Sequence, residues 1–417
     1  MTETAATLPL FAGYGIELEY MIVDRDRCNI LPVTDQVLKA VAGAYVNEFE
    51  AGPIAWSNEL VLHVIELKTN GPVAKLGPLP HQITSNIQQI NTILSGINGQ
   101  LMPTAMHPWM NPWRETRLWP HEASEIYDTY NRIFNCQGHG WSNLQSVHIN
   151  LPFADDQEFA LLHAAIRVLL PIMPALAASS PIMDGEYTSL LDTRLETYRR
   201  NAEQIPHITG MVIPEPVCNY LEYQSRILEP MYAAIAPHDP EGILQYEWLN
   251  SRGAIARFDR NAIEIRVLDT QETPRADIAI AAMIISILKK LVSATWCDAI
   301  HQNGLNTEYL ADLFMLAVKD GELAVINNES YLELFGLPDR KCQVQELWQH
   351  LLESVSADDA DLNPELRTTI NYIIHRGPLA RRIKQAIGKN IKRSRMEEAY
   401  RQLCECLAND RLFDGIG

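Results

Sequence analysis

The sequence predicts an α+β protein, because strand patterns and helix patterns mix over the first two thirds and helix patterns fill the remainder. Three strand-like runs that contain glutamate carry this prediction, together with a short turn between GAIARF and the last run that indicates an antiparallel hairpin. We expect one domain over residues 1–417, with a sheet core at 11–275 and a mostly helical region at 276–417. The three runs are GIELEYMIVD at 15–24, ELVLHVIELKT at 59–69 and AIEIRVLD at 262–269.

The glutamates of these runs point the same way on their strands. Side chains two residues apart share a face, so Glu17 and Glu19 project together, and Glu264 projects with Arg266. A face with adjacent carboxylates repels itself unless a cation is present, which predicts a positive partner. The alternative is a face exposed to water, as in many antiparallel sheets, but three such strands in one chain make it less favoured.

The other elements follow from apolar spacing and from helix breakers. A Trp- and Pro-rich loop at 106–120 has the composition of a pocket lining. Pro171 and Pro174 should kink the helix that contains them, and Thr273 before Pro274 is a helix start. The remaining expected elements are helices at 34–43, from Ile83 to Ile97, at 122–135 and at 157–178, and a strand at 144–153.

Composition restricts the function classes. A net charge of −18 argues against a general nucleic-acid or anionic-membrane surface. The acidic N-terminus has no pattern of a targeting peptide, and the longest apolar stretch, 278–285, is far shorter than the roughly 20 residues that span a bilayer. Seven scattered cysteines are typical of reduced thiols in a cytoplasm. We therefore expect a soluble cytoplasmic protein with small-molecule partners, and the sequence leaves open whether it forms a homo-oligomer.

Familiar nucleotide and metal motifs are not matched. GYGIEL lacks the third glycine of a dinucleotide loop and precedes a strand, GKN at 388–390 is not a phosphate loop, and HEASE at 121–125 lacks the second histidine of a zinc protease. Any nucleotide site must be built in another way.

Glutamate oxygens suit Mg²⁺ or Mn²⁺, and Glu17, Glu19, Glu66 and Glu264 are candidate ligands. Glu59 is seven residues from Glu66, so an unbroken strand would place the two on opposite faces. Glu59 can join the site only if it precedes the strand or if a bulge intervenes. His148 lies in SVHINLPF; its spacing alone favours a hydrogen-bonded core residue over a metal ligand.

The arginines allow two interpretations each. Arg266 can form a structural ion pair with Glu264 or, with Arg257 on the partner strand, hold phosphate oxygens. Arg194 and Arg199 can bind a substrate carboxylate, although a solvated turn is the commoner context for such residues. The basic run at 381–395 is predicted to be a solvated helix face.

A family resemblance rests on several motifs in a fixed order. GIELEY, IELKT, AMHPW, SVHINLPF, ALAASSP with DTRLETYR, and AIEIRVLD resemble the glutamate–cysteine ligase type 2 family of ATP-dependent carboxylate–amine ligases. The resemblance covers roughly 11–275 and implies a glutamine synthetase-like catalytic fold. In that fold a curved, mainly antiparallel sheet forms a funnel flanked by helices, with divalent cations between ATP and the amino-acid substrates.

The resemblance also implies roles for individual residues. Glu19, Glu59 and Glu66 match acids around one cation, whereas Glu17, His148 and Glu264 match those around cations that touch ATP. Arg257 and Arg266 match arginines that contact phosphate. INLP replaces the HVHVG of relatives, and the stretch before DTR is longer; both departures border the substrate end.

The implied function is an ATP- and Mg²⁺- or Mn²⁺-dependent ligase that forms an amide through an acyl phosphate, with Glu264, Arg257 and Arg266 in the catalytic site. L-Glutamate and L-cysteine are the expected substrates. Three alternatives remain: another amino acid, polyamine or peptide as acceptor; a non-catalytic nucleotide or metal sensor; and phosphotransfer to a guanidino compound.

Overall fold

The structure is a computed structural model and describes residues 7–416. The N-terminal segment that we expected not to be a targeting peptide therefore lies largely outside the described residues. Within 7–416 the secondary structure is mixed, which confirms the α+β prediction. The strands are β1 Gly15–Asp24, β2 Glu48–Ala51, β3 Ile54–Asn58, β4 Val64–Thr69, β5 Gly99–Met102, β6 Ser146–Pro152, β7 Ile182–Met183, β8 Glu186–Tyr187, β9 Ala254–Arg257, β10 Ala262–Asp269, β11 Val325–Ile326 and β12 Cys342–Gln343.

Helices separate the strands in the first part and dominate after β10. Short 3₁₀ turns and a π-helical turn at Gln224–Leu228 connect some of them. The helices are α1 Thr34–Ala42, α2 Leu79–Ser95, α3 Pro112–Glu115, α4 Ser124–Phe134, α5 His139–Ser142, α6 Asp156–Leu169, α7 Pro174–Ala177, α8 Thr193–Arg200, α9 Tyr220–Tyr223, α10 Glu229–Ile235, α11 Pro274–Val292, α12 Ala299–Asn303, α13 Thr307–Asp320, α14 Glu329–Glu333, α15 Val344–Ser354, α16 Pro364–Arg376, α17 Leu379–Ile387 and α18 Arg393–Asn409.

The main sheet of the described chain has eight strands, in the order β2-β3-β4-β1-β6-β10-β9, with β5 paired to β1. Every pairing in it is antiparallel. The predicted hairpin is formed by β9 and β10, and Asn261 in its turn has a φ of 51°. The left-handed conformation there suits asparagine, which tolerates positive φ better than most residues.

One face of the sheet forms the core. Ile16, Leu18 and Tyr20 of β1 have no exposed surface and share an apolar cluster with residues of α2, α6 and α11. Burial of each such side chain stabilises the fold by about 1.5–3 kcal/mol. The alternation that buries these residues turns Glu17 and Glu19 to the other face, so the apolar core fixes the direction of the acids.

Proline and threonine signals set helix boundaries as predicted. The apolar helix ends at Leu169, passes through a 3₁₀ turn that contains Pro171 and restarts as α7 at Pro174, because proline lacks the N–H of the helical ladder. Thr273 is the N-cap of α11, and its hydroxyl accepts a hydrogen bond from the backbone N–H of Arg275.

Strands β2, β3 and β5 of the main sheet and the pair β7–β8 were not predicted, and neither were two further features. The register between β10 and β6 shifts between Ile265 and Leu268, and the mostly helical region contains the small strand pair β11–β12. The main apolar cluster includes residues from Tyr14 to Leu407, so the strand-rich part and the helical part share one core. No helix in residues 7–416 is both long and apolar enough to cross a membrane.

Candidate active site

Strand register gathers the acids on one face of the sheet. In the antiparallel ladders Glu17 of β1 lies opposite Lys68 of β4 on one side and opposite His148 of β6 on the other, and Glu19 lies opposite Glu66. Glu264 of β10 lies opposite Asn150, two residues beyond His148. Residues that are distant in the chain thus form one polar patch, because each strand turns its alternate side chains to this face.

Hydrogen bonds hold the patch together. His148 Nδ1 lies 2.8 Å from Glu17 Oε2 and 3.6 Å from Glu264 Oε1, while its Nε2 lies 2.9 Å from Ser146 Oγ. The backbone N–H of Ser146 donates to Glu19 Oε2 at 2.7 Å. Histidine is therefore fixed between two carboxylates, and a neighbouring hydroxyl and backbone amide hold the ring and Glu19 in place.

Two protein cations offset part of the negative charge. Arg266 Nε lies 2.9 Å from Glu264 Oε1, and Lys68 Nζ lies 3.4 Å from Glu66 Oε2. Burial opposes ionisation of Glu17, but the hydrogen bond with His148 and the nearby cations lower the pKa of Glu17 to about 2. Arg266, although buried, has its pKa raised by the charge of Glu264. These interactions stabilise the ionised form of Glu17.

The negative charges of Glu66 and Glu59 are less well offset by protein cations. Burial, followed by the charge of Glu17, raises the pKa of Glu66 to about 7. Burial and the charges of Glu19 and Glu66 raise the pKa of Glu59 well above its ordinary value. Glu59 lies after the end of β3 and before β4, as its membership of the site required. The raised pKa values mean that this part of the patch lacks positive charge.

A divalent cation fits that deficit. Within the described residues, ligand atoms of Glu17, Glu66 and His148 lie within 4.8 Å of one another. Carboxylate oxygens with one imidazole nitrogen form a donor set that suits Mg²⁺ or Mn²⁺. This group combines residues that the resemblance had divided between two cation sites; Glu19, Glu59 and Glu264 surround it.

Two cavities open on either side of this acid patch. The first, of about 370 Å³, is lined by Glu19, Glu59, His148, Arg194 and Arg266 and by several aromatic side chains. The second, of about 830 Å³, is lined by Glu17, Lys68, Asn150, Arg260 and backbone-rich segments around Gly13, Gly15 and Gly71. We call them the aromatic cavity and the glycine-lined cavity. Glu17 and Glu19 belong to different cavities although they are two residues apart on one strand.

Gly13 and Gly15 lie in tightly packed surroundings beside the glycine-lined cavity. A Cβ at Gly15 would lie 2.9 Å from Asn150 Cβ, and one at Gly13 would lie 3.0 Å from Pro72 Cβ. A side chain at either position would therefore displace a neighbour. Glycine at both positions permits this close packing of neighbouring segments.

Arg194 is almost fully buried and lines the aromatic cavity. Its Nη2 donates to the carbonyl of Arg266, and its Nη1 lies 3.8 Å from Asp269 Oδ1. Nε and Nη1 have no hydrogen-bond acceptor among the described residues. Burial raises the pKa of Asp269 to about 6 even though Arg194 opposes the shift. Within the described chain Arg194 therefore carries two buried, unpaired N–H groups at the edge of the aromatic cavity.

The two other predicted arginines are engaged elsewhere. Arg257 forms two hydrogen bonds with Asp259, at 3.0 and 2.8 Å, at the rim of the hairpin. Arg199 is bound by Glu196 one helical turn away on α8, with its side chain 41% exposed. The structure does not bring Arg199 to either cavity. The basic segment at 381–395 is largely paired with acids, as at Arg382 with Glu272 and Arg393 with Glu397.

Sequence reasoning missed several lining residues. Lys68 follows Glu66 by two positions and therefore shares its face of the strand. The alternation of side chains was thus enough to predict Lys68 on the acidic face. Arg260 and Asn150 had weaker signals, and the aromatic side chains on α4 and α5 had none, because only folding brings those helices to the sheet. The Trp- and Pro-rich loop contributes differently: Trp109 packs under Arg393, with Cζ 3.8 Å from the ring centre.

Comparison with known proteins agrees with this geometry. The sequence profile of glutamate–cysteine ligase family 2 (GCS2) matches residues 14–335. The chain belongs to glutamate–cysteine ligase family 2. As a member of this family it is an ATP-dependent ligase that forms a C–N bond, of the carboxylate–amine class.

Relatives support the family at moderate identity. An uncharacterized protein of Archaeoglobus fulgidus is 38% identical over 275 residues, which is 66% of this chain and 73% of that protein. A Laribacter hongkongensis protein named "Putative glutamate–cysteine ligase 2" is 28% identical over 308 residues, 73% of each chain.

Solved structures of ligases share the fold. Glutamate–cysteine ligase of Francisella tularensis, in complex with AMP, has a TM-score of 0.58 at 13% identity over 95% of this chain and 89% of its own. A bifunctional glutathione synthetase of Pasteurella multocida has a TM-score of 0.55 at 14% identity, over 95% of this chain and 52% of its own. The fold expected for the family is thus confirmed.

Proposed function

We propose that this family member joins the carboxylate of L-glutamate to the amine of a second amino acid, with ATP consumed at the acid patch. The observation that carries the proposal is the position of Glu17, Glu66 and His148 between two separate cavities. Such a patch can face a triphosphate on one side and a carboxylate on the other. L-Cysteine is the acceptor that the family name implies.

The glycine-lined cavity is the proposed nucleotide side. Its volume of about 830 Å³ is within the range of about 300–1,000 Å³ that ligand sites occupy. Lys68 and Arg260 supply positive charge there, beside the acids Glu17, Glu48 and Asp259. The AMP complex of the Francisella ligase, which shares the fold, supports a nucleotide in this family.

Glu17, Glu66 and His148 would hold a divalent cation, with Glu19, Glu59 and Glu264 beside them. When bound, Mg²⁺ or Mn²⁺ would neutralise phosphate charge and polarise the phosphoryl group. Glu264 holds Arg266 in place through the 2.9 Å ion pair, so the guanidinium is ready to meet charge that develops on the transferring phosphoryl group. Arg257 would take the same role only after release from Asp259.

The reaction proceeds in two balanced steps. A glutamate carboxylate oxygen forms a bond to the γ-phosphorus while the bond from that phosphorus to the β-phosphate oxygen breaks, and ADP leaves. The acceptor nitrogen then forms a bond to the acyl carbon. The carbon–oxygen bond to phosphate breaks, phosphate carries away the electron pair, and the proton of the amine passes to solvent.

Arg194 is the proposed anchor for a substrate carboxylate on the other side of the patch. Its Nε and Nη1 lack acceptors, and planar guanidinium suits bidentate carboxylate binding. Arg199 takes no part in the proposal because Glu196 occupies it. The shared core supports one catalytic unit, and the seven free cysteines support a reducing cytoplasmic setting.

The test is phosphate release from MgATP with L-glutamate and a panel of acceptors that begins with L-cysteine, with products weighed by mass spectrometry. The product should be one water lighter than the two substrates combined. Glu264→Gln should lower turnover at least ~100-fold, in line with loss of transition-state charge stabilisation.

Glu50→Gln is the matched control. Glu50 lies on the same face of the sheet, opposite Ala55 of β3, but its side chain is exposed and lines neither cavity. Equal activity in Glu264→Gln and Glu50→Gln would remove Glu264 from the mechanism. ATP binding without phosphate release for any acceptor would instead favour a nucleotide sensor.

A further inference from the structure

The aromatic cavity has a wall that the ligase chemistry does not require. Five aromatic side chains from four separate elements form this aromatic wall: Tyr127, Tyr130, Trp141, Tyr198 and Trp248. Tyr130 is central, with ring centres 5.0 Å from Trp141 and 6.1 Å from Trp248. Aliphatic residues Leu60, Val64 and Ile126 extend the apolar surface.

Three polar groups of the wall, on Trp141, Tyr127 and Tyr198, are hydrogen-bonded to the protein. Trp141 Nε1 donates to the carbonyl of Asn201 at 3.1 Å, and the hydroxyl of Tyr127 accepts from Asn58 Nδ2 at 3.0 Å. The hydroxyl of Tyr198 donates to the carbonyl of Arg252 at 3.5 Å. With these groups satisfied, the wall presents mainly carbon to a ligand.

Charge in the cavity selects among ligands that bind aromatic surfaces. A cationic amine is a common partner of aromatic rings, but Arg194 and Arg266 line this cavity together with Glu19 and Glu59, so the cavity has no excess of negative charge. Arg194 Cζ lies 5.6 Å from the ring centre of Tyr198, within cation–π range, so a second cation would meet repulsion there. A neutral apolar side chain beside a carboxylate matches both features.

We propose that the acceptor of this ligase is a neutral α-amino acid with a branched or aromatic side chain, larger than cysteine. Its carboxylate would bind Arg194, and its side chain would cover the aromatic wall. The inference rests on the proposed function and refines its acceptor. Full burial of a leucine or phenylalanine side chain favours binding by about 1.5–3 kcal/mol, more than a single thiol group supplies.

The experiment compares acceptors with the full chain, MgATP and L-glutamate. We expect kcat/KM for L-leucine or L-phenylalanine to exceed that for L-cysteine at least ~10-fold, since each methylene in an apolar pocket changes discrimination by about 10–200-fold. A preference for L-cysteine, or for a diamine such as putrescine, would overturn the inference and leave the ligase intact. No phosphate release with any acceptor would refute the proposed function and the inference together.

Variants of the wall separate specificity from folding. Trp141→Ala should lower kcat/KM for the apolar acceptor ~10–100-fold and that for L-cysteine less than about threefold. Trp248→Ala, at a half-buried position of the same wall, is the second variant if Trp141→Ala does not fold. Trp113→Ala is the control, because Trp113 is 64% exposed and lines neither cavity. Equal losses for both acceptors in both wall variants would overturn the inference.

Discussion

Replacement of Glu66 by glutamine should stabilise the fold without a divalent cation, and this gain should shrink or disappear when the cation is bound. Glu66 is 7% exposed, accepts a hydrogen bond from Ser57 Oγ at 2.5 Å and shares its face with Glu17 and Glu19. Burial and the charge of Glu17 raise its pKa to about 7. Ionised Glu66 therefore destabilises the cation-free fold.

The size of this effect follows from proton linkage. Below the ordinary pKa of 4.5, Glu66 is protonated in both the folded and the unfolded state and does not change the free energy of unfolding. Stability is lost as the pH rises from 4.5 through 7, and at pH 8 the loss is about 3 kcal/mol at 1.36 kcal/mol per unit. Glutamine removes the charge and keeps an acceptor for Ser57, so Glu66→Gln should gain about 2–3 kcal/mol without cation.

Bound cation offsets the difference in stability between wild type and Glu66→Gln. A ligand at 100 times its dissociation constant stabilises the fold by about 2.7 kcal/mol. Wild type should gain this from Mg²⁺, whereas Glu66→Gln should gain little because it lacks a carboxylate of the site. In a chain of 417 residues, 1 kcal/mol shifts the melting temperature by about 1 °C.

Differential scanning calorimetry at pH 8 measures both effects. In chelator Glu66→Gln should melt about 2–3 °C above wild type, and saturating Mg²⁺ should narrow or remove the difference. Glu50→Gln is the control, because this exposed carboxylate lies on the same sheet face outside the acid group. The reasoning would be refuted if Glu66→Gln melted below wild type in chelator, or if Mg²⁺ raised its melting temperature as much as that of wild type.

Further predictions concern stability away from the acid patch. Acid should weaken the fold below pH 6.5, because burial lowers the pKa of His63 to about 4 and those of His107 and His163 to about 3. The unfolded state binds more protons in that range, so each histidine lowers the free energy of unfolding by about 1.4 kcal/mol per pH unit. A urea midpoint that is constant from pH 8 to 5 would contradict this prediction. Arg382→Ala should lower the free energy of unfolding by about 3–5 kcal/mol, because it leaves buried Glu272 without its partner. Calorimetry should show partial recovery of the melting temperature when Glu272→Gln is added. An unchanged melting temperature in Arg382→Ala would contradict this prediction. Gly253→Ala should lower the free energy of unfolding by about 1–3 kcal/mol, because its Cβ would lie 2.6 Å from Val267 Cγ1. Addition of Val267→Ala should restore part of this loss. A denaturation midpoint equal to that of wild type would show that the surrounding residues accommodate the Cβ without loss of stability.

The sequence was enough to predict five strands of the main sheet, four helices of the first part, the mostly helical region after Thr273 and the acidic face. Period-two alternation around Glu17 and Glu264 is a local pattern, and burial of the intervening isoleucines and leucines enforces it. Proline and threonine signals at Pro171, Pro174 and Thr273 are equally local, since they act through the backbone of their own turn.

Local sequence patterns did not predict which strands pair with each other in the sheet. The grouping of Glu17 and Glu66 with His148 depends on the placement of β1 between β4 and β6, a choice that three strands from distant parts of the chain make together. The bulge in β10 and the pairing of Arg199 with Glu196 likewise depend on neighbours in space. Family motifs suggested some of these roles, although no periodicity did.

The sequence by itself determined which residues turn away from the core and that their charges need a positive partner, because alternation and the cost of buried charge act over a few residues. Tertiary structure alone decided that Glu17 and Glu19 face different cavities and that Tyr130, Trp141 and Trp248 form one wall. Those arrangements depend on how helices pack against the sheet, and packing is settled by contacts between segments far apart in the chain.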